Sequence, residues 1–207
     1  MNTQTSGLLE KEKIEKFKEF QMQWASDPKI LMLSKTGWLS TRGTYLLKER
    51  RFDDAEHDFR EILELNPESI TAYTALAGIY AEKKDYPKAL YLLADCKKMI
   101  DQSCNEKVKF GILDVAFIGG TLELEMSKNE RDEQHRLARA SSAATSFYIF
   151  LNEEKVIAQS PAWLELLTDD RFIKEKHEER VSFAKTTLKI FMTGMKPEAQ
   201  AMISKVL

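Results

Sequence analysis

The chain has 207 residues, 43% hydrophobic and 31% charged, and its 31 basic and 33 acidic side chains leave a formal net charge of −2. That balance gives no broad field to attract nucleic acid or an anionic membrane surface, while the apolar fraction is enough to bury a core. Eight glycines and five prolines are too few for a turn-rich all-β architecture, so the expectation is an all-α chain.

In chain order, Met1 to Gly7 is polar, and Leu8-Leu9 runs at once into Glu10-Lys11-Glu12-Lys13. That is not the apolar centre of an export signal, and no run of about 18 apolar residues predicts a membrane span. Residues 8–25 predict an amphipathic helix with Ile14, Phe17, Phe20 and Trp24 on one face, stopped by Asp27-Pro28. A helix over about 36–49 follows, then one opened by Phe52-Asp53-Asp54-Ala55 and ended by Asn66-Pro67-Glu68. A second pair occupies about 70–103, its later helix opened by Asp85-Tyr86-Pro87-Lys88-Ala89, where Pro87 suits a first helical turn.

Residues 108–126 predict a helix that is apolar on two sides. Val108, Ile112, Val115, Gly119, Leu122 and Met126 line one face, and Phe110, Leu113, Phe117 and Leu124 the other. Such a helix is covered on both sides. Its partner runs over about 131–151, with Ala140, Ala144 and Phe147 on one face. Ser160-Pro161 caps a short helix to about Leu167. Thr168 or Asp169 caps a long one to Met192, along which Ile173, His177, Val181, Ala184, Leu188 and Phe191 recur at alternating steps of four and three. Gly194 ends it, and Pro197 opens a last helix carrying Ala201, Ile203 and Val206. No segment shows a period of two, so no sheet is expected.

Five pairs of positions stand 34 residues apart: Leu39 and Tyr73, Gly43 and Ala77, Leu46 and Tyr80, Ala55 and Ala89, Phe59 and Leu93. A helix–turn–helix period of this length resembles the tetratricopeptide repeat. The resemblance implies a short right-handed helical solenoid, with Gly43 and Ala55 small because two helices touch there. Residues 36–103 form two repeats. Residues 104–152 form a degenerate third, since Glu123 stands where a regular repeat has alanine. The helices at 8–25 and 160–207 cap the ends, and 1–207 reads as a single all-helical domain.

The side chains suited to chemistry are scattered. His57, His135 and His177 have no metal-ligand spacing, and Cys96 and Cys104 form no C-x-x-C pair. They are expected as free thiols in a reducing, cytoplasmic setting. Gly119-Gly120 lies inside a helical pattern rather than between strand and helix, so it reads as close helix packing and not as a phosphate loop. Glu123 and Glu125 point to different faces. Arg131, Arg136 and Arg139 are interspersed with Glu130, Asp132 and Glu133, which reads as a solvated face. No catalytic residue, metal or cofactor is expected.

The resemblance instead implies non-catalytic binding of a peptide or helix of another protein in a concave groove, as a scaffold, adaptor or assembly subunit. Its register places Ser40, Thr44 and Leu47 of the first repeat, and Thr71, Thr74, Gly78 and Ala81 of the second, along that groove. They are mostly small and offer hydroxyls to a ligand. The competing arrangement fills the groove with the N-terminal helix carrying Phe17 and Trp24. The co-chaperone subfamily that clamps an acidic C-terminal carboxylate requires lysine and asparagine on this face. Ser40, Thr44 and Ala75 occupy the matching positions, so that activity is not expected. The size and layout are also similar to cytoplasmic chaperones of type III secretion translocators, the alternative reading, although about 50 C-terminal residues here have no counterpart in them. A second seam, Ile173, His177, Val181, Leu188 and Phe191, needs cover from this chain, a partner helix or a second copy in a homo-oligomer; docking within the chain is the favoured arrangement.

Overall fold

A computed structural model describes residues 12, 15, 16, 19, 28–169 and 171–207. The predicted helix at 8–25 otherwise lies outside the described residues, including Ile14, Phe17, Phe20 and Trp24. Among the described residues all regular structure is helical. The helices are α1 (Pro28–Lys48), α2 (Phe52–Leu65), α3 (Ile70–Glu82), α4 (Tyr86–Gln102), α5 (Glu106–Lys109), α6 (Gly111–Asn129), α7 (Glu133–Ile157), α8 (Pro161–Asp169), α9 (Arg171–Met192) and α10 (Pro197–Ser204).

Helix α1 starts at Pro28, two turns ahead of the sequence reading. Proline stops a preceding helix, but its fixed φ and missing N–H equally suit the first turn of a new one. Helix α4 ends three residues later than the 34-residue period from α2 predicts, because Asp101 replaces the proline that ends the first repeat. The third hairpin begins with the one-turn α5, whose N-cap Asn105 accepts from the Lys107 amide at 3.0 Å. Packing divides the chain into two compact units, Met1–Leu92 and Leu93–Leu207.

In the first unit α1 packs on α2 and α2 on α3. The core is Leu39, Leu46, Ala55, Phe59, Ile62, Ala72, Leu76 and Ile79. Gly43 is required by contact: a Cβ there would stand 2.9 Å from the Phe59 ring. The period also shows in the backbone. Arg50 and Lys84, 34 residues apart, have φ of 58° and 63°. Behind Arg50, the Arg51 amide donates to Leu46 O at 2.9 Å, and behind Lys84, the Asp85 amide donates to Tyr80 O at 2.8 Å. Both are left-handed helix stops of the kind glycine favours. Arg50→Gly or Lys84→Gly is therefore expected to raise stability by about 0.5 kcal/mol, net of a lost surface contact, as a higher urea midpoint.

A polar cluster ties α2 to α3. Glu56 accepts from Lys83 Nζ at 2.8 Å, from Arg60 Nε at 3.0 Å and from the Tyr80 hydroxyl, which itself accepts from Arg60 Nη2 at 2.6 Å. Burial acts to raise the Glu56 pKa, but hydrogen bonds from Lys83, Tyr80 and Arg60 outweigh it and hold the carboxyl at about 2, against an ordinary 4.5. The folded value lies below the unfolded one. Its stabilisation is thus full above the unfolded pKa and is lost as pH falls through the folded pKa. Between about pH 5 and pH 2 the wild type should lose about 2 kcal/mol more than Glu56→Gln, allowing for partial screening. Denaturant unfolding at a series of pH values measures the difference.

The second unit is built on the α6–α7 hairpin, with α9 against α7 and both α8 and α10 against α9. Its core includes Leu113, Ala116, Ala143, Ala144, Phe147, Phe150, Leu151, Trp163, Ala184 and Leu188. Gly120 repeats the device of Gly43: a Cβ there would lie 2.9 Å from the Phe147 ring. A Cβ at Gly119 would make only ordinary contact with Leu93, at 3.9 Å. Both cysteines are free, Cys104 exposed and Cys96 buried. Burial, with Asp114 adding to it, pushes the Cys96 thiol up to about 12, so it packs as a small apolar group.

Candidate functional site

All seven predicted groove residues lie in the first unit, on α1 and α3. Thr44, Thr71 and Gly78 are exposed; Ser40, Leu47, Thr74 and Ala81 are half-buried. The three on α1 follow one another by four and three residues, and the four on α3 by three, four and three, so each set forms one stripe of its helix. The repeat-signature residues Leu39, Leu46, Leu76, Ala77 and Tyr80 point inward and are buried. Gly78 differs from Gly43, because among the described residues nothing lies within 4 Å of a Cβ built on it. The stripe is less rich in free donors than its composition implies. Thr44 Oγ1 donates to Ser40 O at 2.8 Å, and Thr74 Oγ1 to Ile70 O at 3.0 Å and Thr71 O at 3.2 Å. These hydroxyls bond back to their own helices and present acceptor lone pairs outward.

Behind the α1 stripe stands an ion pair the sequence reading did not single out. Arg42 Nε donates to Asp58 Oδ2 at 2.8 Å and Nη2 bonds Oδ1, with the guanidinium carbon 3.9 Å from the centre of the Trp38 ring. The Asp58 side chain is 1% exposed and that of Arg42 32%. The available signal was an aspartate lying between Ala55, Phe59 and Ile62 on the apolar face of α2. The fork fixes α1 on α2, and so sets the height of Ser40 and Thr44.

The residues of the second seam lie against their own unit. His177, Ala184 and Leu188 are buried, while Ile173, Val181 and Phe191 are half-buried. Ala184 and Leu188 belong to the second unit's core, with Val181 and Phe191 packed against it. Arg139, read as part of a solvated face, is half-buried and donates to Glu123 Oε2 at 3.1 Å, joining α7 to α6. It lines an open cavity of about 520 Å³ with Glu123, Glu130, His135, Ala138 and Ser142. Among the described residues no group of three or more His, Cys, Asp or Glu is placed to hold a metal ion. No helix there is long and apolar enough to cross a membrane.

Residues 46–98 match the family model of the tetratricopeptide repeat. The chain contains tetratricopeptide repeats. The matched segment takes in α2, α3 and most of α4, which includes the second half of the candidate stripe and both left-handed stops. The tetratricopeptide repeat is a protein–protein interaction module, and the match is to this segment. No curated protein and no solved structure matches the chain.

Proposed function

We propose that the first unit binds an extended peptide or a helix of another protein along the α1–α3 face, and that the chain serves as an adaptor or assembly subunit. The observation that carries this is Gly78. It lies in the middle of α3, is exposed, and has no neighbour among the described residues that a side chain would meet. A mid-helix glycine costs about 1 kcal/mol relative to alanine, and no contact among the described residues requires it. A ligand backbone laid against α3 does, since only glycine lets it approach so closely. Flanking Thr71, Thr74 and Ala81 keep that approach low-walled, and Leu47 adds an apolar contact.

The test is Thr44→Arg combined with Thr74→Arg. Both positions are at least partly exposed, so the melting temperature should stay within the range of ordinary surface substitutions, about 0.5 kcal/mol. Recovery of the native partner by affinity capture should fall at least tenfold. His57→Arg on exposed α2 serves as the control and should leave recovery unchanged. Equal recovery by the double variant and the wild type places the partner on another face. Unfolding of the double variant makes these positions core.

A further inference from the structure

Trp163 of α8 and His177 of α9 are buried side by side, 7% and 9% exposed, with ring centroids 5.1 Å apart. Phe150 of α7 closes the group, its ring 6.1 Å from His177. Trp163 Nε1 and His177 Nε2 are both buried without a hydrogen-bond partner. Glu154 Oε1 is 3.5 Å from His177 Nε2, within ion-pair reach but beyond good N–H···O range. Two polar atoms thus lose hydration at the centre of the α7–α8–α9 contact without regaining a bond.

Around them Ala184 and Leu188 are fully buried, and Phe183, 44% exposed, lays its ring 5.7 Å from that of Phe147, while Ile190 is 67% exposed. Arg180, which pairs with Asp114 of α6, is partly solvated. The α6–α7 contact is of another kind, with Phe147 seated over Gly120 and Leu113, Ala116, Ala143 and Ala144 all buried.

We infer that α8 and α9 form a releasable cover over the Phe147–Phe150 face of α7, with Trp163 Nε1 and His177 Nε2, which make no hydrogen bond, as its weak point. The cover opens while α6 and α7 stay joined, as a local unit of lower stability than the hairpin beneath it. Opening returns the indole N–H and the imidazole to water and bares an apolar helix face that is otherwise hidden.

Native-state hydrogen exchange, read by mass spectrometry on the full chain, tests this. Amides of α8 and α9 should exchange through an opening at least about tenfold more frequent than that of α6 and α7. His177→Leu removes the imidazole at similar volume, and should raise α9 protection by about tenfold relative to α6–α7. Exchange of α8 and α9 in step with α6 and α7 in the wild type overturns the inference. So does lower α9 protection in His177→Leu, which would show Nε2 to be satisfied, as by a bridging water. If the variant does not fold, the wild-type comparison decides alone.

Discussion

Replacing Arg42 by methionine is expected to lower stability by about 3–4 kcal/mol, the cost of breaking a buried ion pair from the side that leaves the charge stranded. The two partners are unequal. Asp58 is 1% exposed, so loss of the guanidinium leaves a carboxylate cut off from water and from any countercharge. Arg42 is 32% exposed and lies 3.9 Å over Trp38, so it retains solvent and an aromatic face when Asp58 goes. Asp58→Asn also keeps one acceptor for the fork, and should cost about 2 kcal/mol. Urea unfolding with an unchanged m-value measures both. An Asp58→Asn loss as large as that of Arg42→Met would show that the guanidinium, not the carboxylate, is the buried partner.

The second large effect belongs to the α6–α7 hairpin. Phe147 is fully buried, with Phe117 and Phe183 rings at 6.0 and 5.7 Å and the Gly120 backbone against its edge. Phe147→Ala should cost about 4 kcal/mol through lost burial and a residual cavity. Gly120→Ala alone should cost about 1–3 kcal/mol, because the added Cβ at 2.9 Å overpacks a ring with nowhere to go. In the Phe147→Ala background the same change should be neutral or slightly stabilising, since the ring is gone and alanine is the better helix former. The coupling in a double-mutant cycle should therefore be at least about 1 kcal/mol. Additive losses would mean that Gly120 serves the backbone rather than the ring.

The repeat was legible because its signature is a packing signature. Residues 34 apart, such as Leu46 and Tyr80 or Ala55 and Ala89, are buried in both copies. The long C-terminal stripe was legible as a seam for the same reason, but pattern alone could not say that α7 and α8 pack against α9. Pro28 was read as a stop, although it equally begins a helix. The division into two units left no trace, because it falls inside the continuous helix α4 rather than in a Gly- or Pro-rich linker. Asp58 looks in sequence like its polar-face neighbours Asp53 and Asp54, and only packing turns it inward to meet Arg42. The stripe residues were found by register. That their hydroxyls bond back to the helix depends on side-chain rotamers, which composition does not carry.

The central claim is that a partner lies along α1 and α3 of the first unit. Site-specific photo-crosslinking in the native source tests it most directly, with the reactive side chain placed at Thr44, Thr71 or Gly78 and, as controls, at the exposed His57 and Glu64 of α2. The account predicts adducts to one segment of one other protein from all three stripe positions and none from the controls. Adducts from the controls alone, or only to residues of this same chain, would contradict it.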